Sequence, residues 1–114
     1  YEPMAPVRVV DTRSGDLGGR LDDGEVVTIP IAGRNGFPAS ASAVTVNVTG
    51  VGAAEAGYLT VWPCGERPEV SNVNLGRGKT APNAVIVKLS DAGAVCLYTQ
   101  HAVDVLIDVV GTWS

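Results

Sequence analysis

The sequence predicts an all-β domain, an antiparallel β-sandwich of about eight short strands, with jelly-roll and immunoglobulin-like topologies both open. Three observations predict it. Apolar and polar residues alternate in run after run, the period of a strand with one buried face. The chain holds 14 Gly and 7 Pro in 114 residues, which implies many turns. No window carries apolar residues at helical spacing without a Gly or Pro interrupting it.

The first strand is read in "VRVVD", entered through "EPMAP", a Pro-bearing linker. In "EVVTIPIA", Val27, Ile29 and Ile31 share a face, and Pro30 marks an edge position or a bulge because it cannot donate to a ladder. "AVTVNVTG" places Val44, Val46 and Val48 inward and Thr45, Asn47 and Thr49 outward. "GYLTVWPC" puts Leu59 and Val61 on one face and Tyr58, Thr60 and Trp62 on the other. "EVSNVNL" reads as a strand ending at Val70 and Leu75. "NAVIVKLS" and "GAVCLYTQ" follow, joined by "SDAG", a hairpin turn by its residue types. In the last strand, Val103, Val105, Ile107 and Val109 oppose Asp104, Leu106, Asp108 and Val110. The longest irregular stretch, Ser14 to Gly24, has the length of a functional loop.

The length suits a single module, residues 1–114, with one core. Apolar residues make up 46% and charged ones 18%, so the chain can bury enough surface to fold. A net charge of −4 with scattered basic residues argues against nucleic acid as a partner. No apolar run approaches a membrane span. The start at Tyr1 lacks the charged and apolar regions of a signal peptide, which leaves a leader already removed or a piece cut from a larger secreted protein, and the linker-like "EPMAP" favours the second.

Two cysteines, Cys64 and Cys96, stand in strand-like context. Their even number, the scarcity of Lys and the turn-rich pattern favour one disulfide in a secreted chain over two buried thiols. A ring of roughly 30 residues would stabilise by about 3–4 kcal/mol on the chain-entropy estimate. Zinc is a poor alternative because His101 is the only histidine.

Five blocks, "PVRVVDTRSG", "AVTVNVTG", "GYLTVWPCG", "SNVNLGRGKTAPNAVIVKL" and "VCLYTQHAVDVLIDVVG", together resemble a β-rich module that recurs in secreted and cell-surface proteins of actinobacteria. There it often sits beside catalytic or adhesive domains, or in tandem. The resemblance runs from Pro6 to Trp113 and implies export, an all-β fold and the Cys64–Cys96 bridge. It carries no defined activity with it. The end, "GTWS", departs from the expected Gly followed closely by Tyr or Phe, with Trp113 taking the aromatic position one residue later.

Asp11, Thr12 and Arg13 end the first strand together. Asp at a strand end accepts backbone N–H groups of the following turn, and Arg pairs with a carboxylate in fork geometry. The partner of Arg13 is Asp11 itself, Asp104 or Asp108, and a structural polar lock of Asp11, Arg13, Asp104 and Asp108 outweighs a pocket for a sugar hydroxyl. Asp104 and Asp108 share a strand face, and Arg13, Lys88 or Arg8 are the cations able to serve them. No cofactor is expected. Calcium is the one metal weighed, at Asp104 and Asp108 or at Asp22-Asp23-Gly24, without an Asp-rich loop of calcium-binding spacing.

Trp62 and Tyr58, if exposed, make an aromatic platform for a sugar ring, whereas a Trp beside a disulfide is commonly core. Asn72 and Asn74 read as an amide pair on one strand face, for sugar recognition or for tying loops. "GRGK" lacks P-loop spacing, and His101 lacks a nucleophile elbow to serve. The sequence therefore favours a non-catalytic, secreted accessory module. It binds carbohydrate, a cell-wall glycan or another surface polymer through Trp62, Tyr58, Asn72, Asn74 and Arg13. The alternative is a structural or adhesive module that pairs with neighbouring domains or copies of itself, since exposed edges with few charges can pair.

Overall fold

Val44, Val46 and Val48 have no exposed surface, while Asn47 between them is open to solvent. That alternation, repeated along the chain, makes two half-buried sheets whose apolar faces must cover each other. The computed structural model describes all 114 residues. It contains β1 (Glu2–Asp11), β2 (Val26–Pro30), β3 (Ala43–Val51), β4 (Gly57–Pro63), β5 (Val73–Leu75), β6 (Thr80–Lys88), β7 (Ala94–Thr99) and β8 (Asp104–Trp113). Short 3-10 turns at Thr12–Ser14 and Asp16–Gly18 are the only helical residues.

The strands form two four-stranded sheets, ordered β1-β8-β3-β6 and β2-β7-β4-β5, and every pairing is antiparallel. β1 pairs with β8, β2 with β7, β3 with β6 and β4 with β5, so the chain is folded double and then wound. This is the jelly-roll order. An immunoglobulin-like sandwich joins several consecutive strands as neighbours, whereas here β4 and β5 are the only consecutive pair. The core of 21 buried residues lies between the sheets. Each wholly buried Val, Leu or Ile in it stabilises the fold by about 1.5–3 kcal/mol relative to exposure.

Four local expectations are corrected. "EPMAP" is part of β1: Glu2 and Pro3 pair with Thr112 and Gly111, and the register slips between Pro3 and Val7. β1 is an edge strand, where Pro3 and Pro6 leave no neighbour without a donor. "SDAG" is not a hairpin, because β6 and β7 belong to different sheets. It makes a tight turn, with Gly93 N–H donating to Ser90 O at 2.8 Å, and the chain crosses between layers there. β5 starts only at Val73, and Val70 is half exposed in the loop before it. Ser14–Gly24 is not a free loop, since Leu21 is wholly buried and bridges Val103 through two backbone hydrogen bonds of 3.0 and 3.1 Å.

Pro30 ends β2 on a sheet edge, as a residue without an N–H should. Pro82 sits in β6, the edge strand of the other sheet. Leu89 N–H bonds Ser42 O, so odd-numbered residues of β6 face β3 and the missing donor of Pro82 falls on the open side.

Candidate functional site

The strand-end trio is tied into β8. Asp11 caps the turn that follows it: its carboxylate accepts Arg13 N–H at 3.0 Å and the Arg13 side chain at 3.1 and 3.3 Å. Those hydrogen bonds hold the Asp11 carboxyl below its usual range, partly opposed by desolvation. The same bond raises Arg13 further above its ordinary value. Thr12, 2% exposed, donates to Asp104 at 2.8 Å and accepts Val105 N–H at 2.9 Å.

Asp104 and Asp108 do share a face of β8, yet each has its own arginine. Arg8 clasps Asp108 in fork geometry at 2.9 and 3.2 Å, which raises the Arg8 pKa. Arg20 reaches Asp104 at 3.2 Å and the carbonyls of Gly52 and Ala102 at 2.7 and 3.3 Å. Arg13 therefore serves Asp11, while Asp104 is served by Thr12 of the same trio and by Arg20, which was not singled out from the sequence. The arginine side chains of these pairs are over two-fifths exposed, so solvent screens each pair and its contribution to stability is small. No group of three or more His, Cys, Asp or Glu is placed to hold a metal ion. Asp23 instead accepts Ala102 N–H at 2.7 Å and lies 3.8 Å from His101.

A second cluster lies on the outer face of the sheet β2-β7-β4-β5. Tyr58, Thr60 and Trp62 project there, as β4's alternation requires. The segment Cys64–Asn72 folds back over this face as a strap. The Cys64–Cys96 disulfide fastens one end to β7. Trp62 Nε1–H donates to Gly65 O at 3.2 Å, and the Thr60 hydroxyl donates to Val70 O at 2.6 Å. At the far end, Asn72 Oδ1 accepts Val61 N–H at 2.7 Å, and Asn83 donates its amide to Asn72 O.

The strap changes what the predicted binding residues can do. Trp62 is 5% exposed beneath it, so Trp62 and Tyr58 do not form an open platform. Tyr58 is half-buried and inclines instead toward Tyr98 of β7, with ring centroids 5.8 Å apart. Asn72 and Asn74 do not form a face-sharing pair either. Asn72 turns into the sheet plane to satisfy β4 where β5 has not yet begun, while Asn74 is exposed directly opposite Tyr58. Arg13 is committed to Asp11 and makes no hydrogen bond or ion pair with Tyr58, Trp62, Asn72 or Asn74.

What remains is a groove of about 640 Å³ between Tyr58 and the strap, lined also by Arg67, Pro68, Glu69, Val70 and Ser71. The Arg67 guanidinium carbon lies 3.6 Å from the centroid of the Tyr98 ring. An aromatic wall beside hydroxyl, carboxylate and guanidinium groups can stack on a ring and hydrogen-bond its substituents. Tyr98 had a signal in the sequence, because it lies two residues from Cys96 and so shares the disulfide's face. Arg67 had none, because the path of the strap follows from the crosslink and not from local periodicity. The chain matches no protein-family model, no curated protein and no solved structure.

Proposed function

We propose that this chain is a non-catalytic accessory module of a secreted protein, and that it binds carbohydrate or another surface polymer in the groove beside Tyr58. The observation that carries the reading is the coincidence of a half-buried aromatic ring with Arg67, Glu69 and Ser71 in one groove. Its volume lies within the range of small-ligand pockets. The strap is crosslinked and hydrogen-bonded at both ends, so its backbone is ordered before a ligand arrives. Asn74, directly opposite Tyr58 in the β4–β5 register, presents an exposed amide beside that ring.

Affinity electrophoresis through gels containing soluble polysaccharides tests this reading. Retardation by at least one polymer, lost in Tyr58→Ala, is the expected result. Unretarded migration in every gel would count against it.

A structural or adhesive role is the second reading, favoured by one observation. β6 is a nine-residue edge strand with Lys88 as its only charge, and Ile86 on it is 70% exposed. Size-exclusion chromatography with light scattering distinguishes the two, because a self-pairing module gives a concentration-dependent dimer.

A further inference from the structure

Three of the six arginines, Arg8, Arg13 and Arg20, find an aspartate at 2.9–3.2 Å. They are also the arginines whose side chains donate hydrogen bonds within the protein. Arg67 belongs to neither group, although Glu66 and Glu69 flank it in sequence. Its guanidinium is held over the Tyr98 ring instead. Stacking engages one face of the plane and leaves the in-plane fork of N–H donors free. Arg67 and Glu69 line the same groove, yet they form no ion pair. With no ion pair between them, the guanidinium fork and the Glu69 carboxylate are both open to a ligand in that groove.

Resting on the polymer-binding reading above, we infer that the groove recognises a carboxylate-bearing sugar, a uronate unit of an acidic polysaccharide, with Arg67 as its anion-binding residue. The sugar carboxylate takes the free fork of Arg67 in bidentate geometry. The carboxylate of Glu69 accepts ring hydroxyls, and Ser71 donates or accepts at the same edge. The C–H face of the sugar lies on Tyr58. A neutral hexose offers the Arg67 fork only uncharged hydroxyl acceptors, without the paired oxygens and charge of a carboxylate. A bare anion such as sulfate would meet the negative charge of Glu69 with no hydroxyl to offer it.

The test is titration of the intact oxidised chain with polygalacturonate, with the same polymer fully methyl-esterified, and with a neutral galactan. Polygalacturonate binds, and esterification weakens binding by about tenfold, equivalent to 1.4 kcal/mol. Arg67→Gln lowers affinity for the acid polymer by a similar factor. Arg67→Lys restores little of it, because an ammonium lacks the fork. Raising the salt concentration weakens the acid polymer alone. Equal affinity for the acid, ester and neutral polymers overturns the inference and leaves the carbohydrate reading standing. So does Arg67→Gln without effect on the acid polymer. Absence of binding to all three polymers overturns the inference, and the polysaccharide gels then decide the broader reading separately. The esterified polymer is compared on the unaltered protein, so the result does not depend on a variant folding.

Discussion

The hydroxyl of Thr12 donates to Asp104 at 2.8 Å while it accepts the N–H of Val105 at 2.9 Å. One buried side chain thus joins the end of β1 to the start of β8, across the long sequence separation that closes the jelly roll. Replacing it with Val keeps the shape and leaves the Val105 donor and an Asp104 acceptor without this partner. Thr12→Val is expected to cost about 1–3 kcal/mol in denaturant unfolding, and Thr12→Ser much less. A Thr12→Val midpoint equal to that of the unaltered protein contradicts the tie.

Leu21 makes a related point from within an irregular segment. It is wholly buried against the core although it belongs to no strand. Leu21→Ala is expected to cost about 2–5 kcal/mol, as for a core residue, because the rigid sheets cannot collapse into the space. Thermal or urea unfolding measures this, and a cost below about 0.5 kcal/mol, typical of surface sites, contradicts it.

The Cys64–Cys96 bridge spans 32 residues of sequence. Its loss in Cys64→Ala/Cys96→Ala is expected to lower stability by about 3–4 kcal/mol on the chain-entropy estimate. Intact mass after alkylation gives the direct check. No thiol of the unreduced protein reacts, and two react after reduction.

Asp11 gives a pH signature. Its carboxyl titrates below the ordinary value of 3.8, chiefly through the hydrogen bond from Arg13. A depressed folded pKa means the stabilisation is fully present above the unfolded value and fades as pH falls through the folded one. The Asp11 contribution is therefore intact at neutral pH and fades as pH falls below 3.8 through the depressed folded value. In a carboxyl-carbon NMR titration, the Asp11 midpoint lies below 3.8 and rises in Arg13→Gln. A midpoint unchanged by that substitution contradicts the assignment.

The strands were legible where one face is core and the other is solvent. Val44, Val46 and Val48, or Leu59 and Val61, declare their faces by alternation alone. The pairing of strands was not legible, because "SDAG" has hairpin chemistry whether or not its flanking strands are neighbours. Trp62 was legible in part, since a Trp beside a disulfide is commonly core and it is 5% exposed. What the sequence did not show was the cover itself, the strap that the disulfide draws over the outer face. Arg20 was overlooked as the partner of Asp104 because it lies in an irregular segment, where no periodicity assigns a direction. Arg13 looked available for a ligand because Asp11, its adjacent partner, was one of several carboxylates in reach.

The most direct measurement is an NMR map of backbone and Tyr side-chain shifts as the titrated polygalacturonate is added. Perturbations confined to Tyr58, Asn74, Tyr98 and the strap residues Arg67–Ser71 are the expected result. Perturbations centred instead on Ile86 and the free edge of β6 would contradict it, as would a spectrum that does not change at all.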